Sequence, residues 1–348
     1  MRGFDVVVMG EALVELHSDE VLNAATTFAL SFSGDALNAA AAAAAAGART
    51  ALLTIIGDDE LSGALVTRLT ELGVDTSLVR RSARPNGAYL VGSDVAGDRE
   101  FIYWRTGSAA SALSAADIER ERDTLRHSKA LVVSGIGAAL SASSEDAVLL
   151  AARVVAEAGG HVTYDPNFRG RLTTPDRARQ VLGQIAPFTA LMTPSCPNDS
   201  KALLQTEDPD ETAAACAALG AGTVAVTAGP EAVTVHQGER RFKVPVPFVP
   251  DPVDATGAGD VLAGTATARL AVGDDLATAL RIGVAAAALS TTGRGGTGYV
   301  ATLADARRFA GQTARLAGET ARPAGEASGA GEPVGEADKA TGESPWQA

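Results

Sequence analysis

The chain alternates short, continuous apolar runs with longer helical stretches, and this rhythm narrows the range of folds more than any other feature. Val6–Met9 is the first such run, and Gly10 ends it. Comparable runs recur at residues 51–56, 130–134, 161–164, 190–193 and 223–227. Continuous apolar runs are typical of parallel strands buried on both faces. The alternation therefore predicts an α/β fold in which helices cover both faces of a mainly parallel sheet.

Residues 74–108 interrupt this rhythm. Residues 78–81, 87–93 and 100–104 have the pattern of short strands, with a turn at Ala96-Gly97-Asp98. We expect them to form a small antiparallel sheet together with about residues 11–33. So small a sheet cannot build a good core of its own, and we therefore predict a lid over a site.

Composition limits the function classes. The 348 residues, 46% hydrophobic and 20% charged, can bury one large core. A formal charge of −13 argues against a general nucleic-acid or acidic-membrane binder, although a locally positive pocket could still take a small anion. Cys196 and Cys216 form neither a disulfide framework nor a metal-ligand spacing. With no signal peptide and no apolar run of about 18 residues, we expect a cytoplasmic protein.

The composition changes near the C-terminus. After about residue 318 the chain consists mostly of Gly, Ala, Pro, Glu and Ser, with almost no large apolar side chains. Such a segment cannot bury enough apolar surface to fold. We therefore predict one domain at residues 1–318 and a disordered acidic tail at residues 319–348.

Residues 254–260 have the features of an anion-binding turn. Gly257, Ala258 and Gly259 lie between Asp254 and Asp260 and lead into an Ala- and Leu-rich helical pattern. A small-residue turn at a helix start leaves backbone N–H groups free for an anion. Asp260 would repel that anion, so its value there is chemical: a base beside a phosphoryl group can take a proton from an attacking hydroxyl. A helix cap without chemistry stays the alternative.

Polar residues also gather at a helix start and at a lid strand. Asp35 and Asn38, three apart at the start of a helical pattern, could bind sugar hydroxyls, or Ser33 or Asp35 could cap the helix. Tyr103 and Arg105, two apart on a strand, face the same side. The ring could pack on a carbon chain while the guanidinium grips a carboxylate, or Arg105 could lie in solvent at an edge.

Further polar clusters follow the predicted strands. Asn167 and Arg169, within residues 165–169, could reach the hydroxyls or phosphates of a ligand, or Asp165 could start a turn before Pro166. Other clusters follow strands at Gly10-Glu11, at residues 193–198 and at residues 227–229. Ligands of parallel sheets bind outside the carboxyl ends of the strands. We therefore expect these clusters to contribute to one site.

Two of these motifs resemble a known family. Residues 254–260 resemble the C-terminal signature of the ribokinase-like (PfkB) carbohydrate kinases, and residues 34–40 resemble their N-terminal signature. The resemblance covers about residues 5–310 and implies a ribokinase-like three-layer α/β/α sandwich that transfers phosphate from ATP, with Mg²⁺, to a sugar hydroxyl. Tyr103-Trp104-Arg105, Ser108-Ala109-Ala110 and residues 165–169 are most similar to 2-keto-3-deoxygluconate kinases, which form the 6-phosphate. A fructokinase or other neutral-sugar kinase, and a catalytically silent sugar-binding protein, remain alternatives.

The resemblance also implies roles for single residues. Asp260 is implied as the catalytic base, and Gly257, Ala258 and Gly259 as the anion hole for the phosphoryl group. The implied substrate-binding residues are Gly34, Asp35, Asn38, Tyr89, Tyr103, Arg105, Asn167, Arg169 and Asp260. The implied nucleotide-binding residues are Asp165, Asn167, Ser195, Thr227, Gly229, Gly257, Ala258 and Gly259. No direct metal ligand is implied, since Mg²⁺ enters with ATP, and open lid edges favour a homo-oligomer through the lid.

The sequence departs from the family at three places. Ser33 stands where the N-terminal signature begins with glycine, and Val284 takes the place of an asparagine near the adenine. The family's Asn-x-x-Glu has no clean match, and Ser195, Asn198 or Asp199 stands there instead. These departures leave the metal details and the nucleotide preference open, as they do a monovalent-cation site, which some relatives have near Asp254.

Overall fold

The computed structural model describes residues 3–92 and 100–320. Its strands are β1 (Val6–Met9), β2 (Leu13–His17), β3 (Ala29–Ser33), β4 (Thr50–Ile56), β5 (Val79–Arg81), β6 (Gly87–Gly92), β7 (Glu100–Trp104), β8 (Ala130–Ser134), β9 (His161–Asp165), β10 (Leu191–Met192), β11 (Thr223–Ala228), β12 (Glu231–Gln237) and β13 (Arg240–Val244). Its helices are α1 (Asp35–Ala45), α2 (Glu60–Glu71), α3 (Ala115–Arg120), α4 (Arg122–Arg126), α5 (Gly135–Ala139), α6 (Ala142–Glu157), α7 (Pro175–Ile185), α8 (Asn198–Leu204), α9 (Pro209–Ala218), α10 (Ala258–Ala271), α11 (Leu276–Ser290) and α12 (Leu303–Thr320).

A nine-stranded sheet forms the centre of the molecule. Its strand order is β13-β12-β11-β10-β9-β8-β1-β4-β5, and the pairs β11–β12 and β12–β13 at one edge are antiparallel while the other pairs are parallel. Side chains of β1 alternate between two cores: Val6 and Val8 pack with α1, while Val7 and Met9 pack with α6. Helices therefore cover both faces, and the predicted α/β sandwich is confirmed.

The smaller sheet, which we name the lid sheet, has the order β3-β2-β6-β7. Its outer pairs are antiparallel, but β2 and β6 are parallel, so the prediction of an antiparallel sheet is wrong for the central pair. The reason is that β6 returns through the main body after β4 and α2, rather than through a hairpin. The turn predicted at residues 96–98 lies outside the described residues.

The strand predicted at residues 78–81 does not belong to the lid sheet. It is β5, which pairs in parallel with β4 at the edge of the main sheet. The segment from β4 through α2 to β5 is a βαβ unit, whose crossover returns the chain parallel within the same sheet. The lid thus consists of β2, β3, β6 and β7.

Several helices escape the sequence patterns. The helices α3, α4, α5 and α8 have five to seven residues each, too few turns to establish a 3.6-residue period. The helix α12 runs to Thr320 and so includes the first two residues of the predicted tail, and the rest of that tail lies outside the described residues. In residues 3–92 and 100–320, no helix is long and apolar enough to cross a membrane.

The helices α1 and α10 cross at very short distance. A Cβ on Gly264 of α10 would lie 2.2 Å from the carbonyl oxygen of Ala39 on α1. Residues of α1 from Asp35 to Ala43 are buried, and most of them are alanine. Small residues thus allow the backbones of α1 and α10 to pack in direct contact. Asn38 directly precedes Ala39 on α1, and its side chain contacts Asp260, one turn before Gly264 on α10.

Candidate active site

The two terminal motifs meet at the side chain of Asp260. Asn38 donates an Nδ2 hydrogen bond to its Oδ2 at 2.9 Å, and Asn167 donates one to its Oδ1 at 3.2 Å. These partners come from α1 and from the loop after β9, at the carboxyl edge of the main sheet. The structure therefore brings together three of the clusters that the sequence analysis singled out.

Asp260 has the acidity of a general base. Burial raises its pKa, and the negative charge of Asp35 raises it further, while the side chains of Asn38, Arg169 and Asn167 lower it; the resulting pKa is about 7. A carboxyl group with this pKa is partly ionised at neutral pH. It can then accept a proton from a hydroxyl with useful efficiency.

Free backbone N–H groups surround this carboxylate. Gly257 has φ 80 and precedes α10. Its N–H and those of Gly259 and Asp260 donate to no acceptor within the described residues, whereas the N–H of Ala258 donates to Ala255 O at 3.2 Å. Of the three residues predicted as an anion hole, Gly257 and Gly259 thus have N–H groups available, and Asp260 adds its own.

Neither aspartate acts as a helix cap. The N-cap residues of α1 and α10 are Gly34 and Gly257, and neither helix has a side-chain cap hydrogen bond. The capping alternative is therefore wrong for both Asp35 and Asp260. Gly34 has φ 120, and a Cβ there would lie 2.6 Å from Glu11 O, so this position requires glycine.

Asp35 lies beside Asp260 as a second buried carboxylate. Its Oδ2 accepts a hydrogen bond from the Ser134 hydroxyl, and its Oδ1 has no partner among the residues that the structure describes. Burial raises the pKa of Asp35, and the charge of Arg105 opposes that rise. Oδ1 is thus available for a ligand hydroxyl.

Ser33, the departure from the family signature, supports the site. Its hydroxyl donates to Asn38 Oδ1 at 3.3 Å. That bond fixes the amide with Nδ2 toward Asp260. The serine therefore holds the orientation of Asn38, and its position at the end of β3 needs no unusual backbone conformation.

The lid places Arg105 inside the molecule. Its guanidinium carbon lies 4.2 Å from the centre of the Tyr103 ring, and its Nε lies 3.1 Å from Glu11 Oε1. The Arg105 side chain is only 9% exposed, so the alternative of a solvent-exposed edge arginine is wrong. Tyr103 itself stacks on Phe101 at 5.9 Å and lies tilted against Tyr89 at 5.6 Å.

Tyr89 lies beneath this aromatic layer. It is 3% exposed, and its hydroxyl donates to Glu15 Oε2. Glu15 also accepts a hydrogen bond from the Ser31 hydroxyl, so this carboxylate ties three lid strands together. In this conformation Tyr89 supports Tyr103.

The loop after β9 combines a turn with a ligand-facing amide. Asp165 Oδ1 accepts the N–H of Asn167, which has φ 40. The predicted turn is therefore present, and it directs the Asn167 side chain to Asp260. Burial raises the pKa of Asp165, and the charges of Asp199 and Asp260 add to the rise. Arg169 is exposed, and its positive charge lowers the pKa of Asp260.

Asp199 connects the predicted nucleotide-binding loops. It accepts the Ser195 N–H at 2.8 Å, the Ser195 hydroxyl at 2.6 Å and the Phe168 N–H at 2.7 Å. Ser195 pairs in turn with Thr227, at the end of β11. Gly229 follows with φ 60. In the described part of the chain no hydrogen bond joins Thr227 or Gly229 to Asp260.

Asp254 stabilises the other end of the turn that precedes α10. Its oxygens accept the N–H groups of Thr256 at 2.8 Å and of Gly295 at 2.7 Å. It thereby fixes the turn to a glycine-rich loop, whose Gly296 would place a Cβ 2.2 Å from Asn38 Oδ1. Within residues 3–92 and 100–320, no group of three or more His, Cys, Asp or Glu side chains could hold a metal ion.

Two buried glutamates lie near the site, and the sequence patterns predict no role for either of them. Glu11 follows the central strand β1. A charged residue directly after a fully buried strand was the one sequence feature that could have indicated a role for it. Glu15 is buried on β2 and follows two apolar residues of that strand. Their partners, Arg105 and Tyr89, lie more than seventy positions away in sequence. Local spacing therefore could not indicate what they do.

The chemistry that this arrangement serves is phosphoryl transfer to a hydroxyl. A carboxyl group with a pKa of about 7 lies beside backbone N–H groups suited to a phosphate, at the edge of the sheet where ligands bind. The class defined by the fold and this site is a small-molecule kinase.

The chain belongs to the pfkB family of carbohydrate kinases, whose family description matches residues 4–302. It is 32% identical over 301 residues to the 2-dehydro-3-deoxygluconokinase of Thermoproteus tenax, covering 83% of this chain and 89% of that protein. It is 29% identical over 325 residues to Fructokinase-2 of Zea mays, covering 87% and 92%. The resemblance seen in the sequence is confirmed, and the protein is a carbohydrate kinase.

Solved structures share the fold. The PfkB protein from Polaromonas sp. JS666 superposes with a TM-score of 0.77 at 26% identity, covering 88% of this chain and 99% of that one. A putative Ribokinase II from E. coli, crystallised with ATP and Mg²⁺, gives a TM-score of 0.80 at 24% identity, covering 88% and 99%. These similarities confirm the ribokinase-like architecture.

Proposed function

We propose that this kinase phosphorylates 2-keto-3-deoxygluconate, also named 2-dehydro-3-deoxygluconate, at its 6-hydroxyl. ATP with Mg²⁺ is the proposed donor. The observation that carries the proposal is Asp260, which is held at both oxygens by amides beside free N–H groups. The names of relatives at about 30% identity support a sugar-acid substrate.

In the proposed mechanism Asp260 takes the proton of the substrate hydroxyl. The hydroxyl oxygen forms a bond to the γ-phosphorus while the bond from that phosphorus to the ADP oxygen breaks. General-base catalysis of this kind contributes about 10²–10⁴-fold to the rate. Asn38 and Asn167 orient the carboxylate, so that one of its oxygens can face the hydroxyl.

The N–H groups of Gly257, Gly259 and Asp260 would bind the oxygens of the transferred phosphoryl group. Each such donor is worth about 10²–10³-fold when it faces charge that develops in the transition state. Bound together with ATP, Mg²⁺ would neutralise phosphate charge. The proposed residues on the nucleotide side are Asp165, Asn167, Ser195, Thr227 and Gly229. Arg169 is proposed to bind the substrate, between it and the nucleotide phosphates, and a monovalent cation near Asp254 remains a prediction.

The acid substrate is favoured by Arg105. Among the described residues its Nη1 and Nη2 make no hydrogen bond, and its contacts are those with Glu11 and Tyr103, so a carboxylate could bind both Nη groups in the bidentate geometry that guanidinium prefers. Gly34, Asp35, Asn38 and Tyr103 complete the proposed sugar site, with Tyr89 supporting Tyr103. A neutral sugar has no need of a buried arginine.

The proposed setting of the enzyme is the cytoplasm, without nucleic-acid or membrane partners. The outer face of the lid sheet exposes Leu30, Ile102 and Trp104. Apolar residues contiguous on one exposed face favour association. We therefore retain a homo-oligomer through the lid as part of the proposal.

Replacing Arg105 separates the acid from the neutral-sugar alternative. Arg105→Ala should lower kcat/KM for 2-keto-3-deoxygluconate about 10- to 100-fold, because a charge-assisted hydrogen bond is lost, and should leave fructose turnover unchanged. Initial rates of ATP consumption with each sugar measure this. Arg153→Ala is a matched control, since Arg153 lies over the Phe188 ring away from the site.

Other results of these rate measurements would support one of the alternative functions. A wild-type enzyme that prefers fructose would be a neutral-sugar kinase, and equal losses on both sugars would remove the role of Arg105 in acid recognition. If neither these sugars nor a wider panel elicited ATP consumption, the protein would be a silent sugar-binding member of the family.

A further inference from the structure

Glu11 is a fully buried carboxylate without a role in the proposed mechanism. It follows β1 at the carboxyl edge of the main sheet and is 0% exposed. Within residues 3–92 and 100–320, neither of its oxygens accepts a hydrogen bond. Its nearest charged atom is Nε of Arg105, 3.1 Å from Oε1. Burying an acid without hydrogen-bond partners lowers the stability of the fold, which points to a role for Glu11 in the site.

The Glu11 contact joins the main body to the lid. Glu11 comes from the loop after β1, whereas Arg105 directly follows β7 of the lid sheet. The guanidinium is therefore held on two sides, by the Tyr103 ring against its face and by Glu11 at its Nε edge. Its two Nη groups are left for a ligand.

The charges around Glu11 show why its proton matters. Burial raises the pKa of Glu11 to about 8; the charge of Arg105 opposes this rise, and the charges of Asp35 and Asp260 add to it. At neutral pH Glu11 thus retains its proton, and the positive charge of Arg105 is not cancelled. An anionic ligand would otherwise meet a neutral ion pair beside two further carboxylates.

We propose that Glu11 is a positioning residue that fixes the Nε side of Arg105, so that the Nη groups bind the carboxylate of the sugar acid. The proposal rests on the proposed function, whose substrate supplies that carboxylate. Glu11 contacts neither the reacting hydroxyl nor the phosphoryl group in this scheme. Its loss should therefore weaken acid binding without slowing the chemical step.

Initial-rate kinetics on the full chain test this proposal. Glu11→Ala removes the 3.1 Å polar contact with the charged Nε of Arg105, and it should raise KM for 2-keto-3-deoxygluconate about 10- to 100-fold with kcat near the wild-type value. Glu11→Gln keeps an uncharged side chain of the same shape, with an oxygen that can lie beside Nε, and should have a KM close to wild type. The constants for fructose should change in neither variant.

A matched control removes another buried glutamate. Glu145 is buried and pairs through both oxygens with Arg177, outside the proposed site. Glu145→Ala should lower the melting temperature and leave KM for the acid unchanged. This separates the role of Glu11 from a general loss of stability.

The pH dependence gives a readout that a purely structural role would not affect. As the pH rises through about 8, Glu11 ionises and cancels the charge of Arg105, so wild-type KM for the acid should increase. The other groups that face Glu11 are Arg105, which stays charged, and Asp35 and Asp260, which remain in every variant. Glu11→Gln should therefore lose the part of this increase that lies near pH 8.

The outcomes separate the two proposals. If the wild-type enzyme uses no keto sugar acid, the proposed function fails and the role of Glu11 fails with it. If the acid is used but Glu11→Ala leaves its KM unchanged, or raises KM for fructose equally, only the positioning role is overturned. A KM for Glu11→Gln as poor as that of Glu11→Ala would also overturn it.

Discussion

The pKa of Asp260 is set by neighbours that act in opposite directions. Burial and the charge of Asp35 raise it, whereas Asn38, Arg169 and Asn167 lower it. Without the amides the carboxyl group would hold its proton at neutral pH, and without burial it would be too weak a base. The opposing influences bring its pKa to about 7, so that the carboxyl group is partly ionised at neutral pH.

Removing one of the amides should shift the pH profile in a defined direction. Asn38→Ala removes a hydrogen bond that lowers the pKa of Asp260, so that pKa rises. Because the base works only when deprotonated, the acid limb of kcat/KM against pH should move to higher pH. Ser33→Ala, which releases the Asn38 amide without removing it, should produce a smaller shift in the same direction. A limb that stays in place would contradict this account of the site.

The sequence indicates the residues to which we assign chemistry more readily than those that support them. Asp260, Asn38 and Asn167 stand in short motifs whose spacing is informative, and the structure brings them together. The contribution of Glu11 depends on a contact with Arg105, ninety-four positions later. No local pattern encodes such a contact, because it exists only once the lid sheet lies on the body.

At the scale of secondary structure, the site depends on how closely α1 and α10 approach each other. Gly264 leaves room for the backbone of α1 at Ala39. This close crossing brings Asn38 within hydrogen-bonding distance of Asp260. The Ala-rich composition of both helices is therefore a requirement of the site as well as of the core.

Gly264→Ala should destabilise the protein although alanine favours helices. The new methyl group would lie 2.2 Å from a backbone oxygen, and overpacking of this kind costs about 1–3 kcal/mol. Gly63→Ala in α2 is the matched control, because its Cβ would meet no atom within 4 Å and alanine gains about 0.5–1 kcal/mol in a helix. Chemical denaturation measures both changes. A Gly264→Ala variant as stable as Gly63→Ala would refute the close crossing.

Elements with a strong hydrophobic pattern could be predicted from the sequence, but the strands with which they pair could not. The buried strands agree with the predicted positions to within a few residues. The strand β5 was expected in the lid because its own residues do not reveal which sheet it joins; the parallel crossover from β4 decides that. The helices of five to seven residues were missed because they complete fewer than two turns.

At the scale of the whole molecule, the site gathers buried acids that cost stability. The pKa values of Glu11, Asp35, Asp165 and Asp260 are all raised, mainly by burial. Such a cluster is held together by the body and the lid jointly. Composition predicted a single large core, while the concentration of acids in one place became visible only in three dimensions.

This cluster should make the protein less stable as the pH rises. Glu11 has an ordinary pKa of 4.5 and a folded-state pKa of about 8, so near neutral pH the native state holds a proton that the unfolded chain has released. The free energy of unfolding should therefore fall between about pH 6 and pH 8, with Asp260 contributing in the same direction. Urea denaturation across this range measures the slope. Glu11→Gln should flatten it, and a steeper or unchanged slope would contradict the assignment.

The most direct test of the central claim is the turnover of Asp260→Asn on 2-keto-3-deoxygluconate. The variant keeps the shape of the side chain but cannot accept a proton. We predict a fall in kcat of about 10²–10⁴-fold, with KM for the sugar acid and the unfolding curve close to those of the wild type. A folded Asp260→Asn enzyme with near-wild-type kcat would show that Asp260 is not the base.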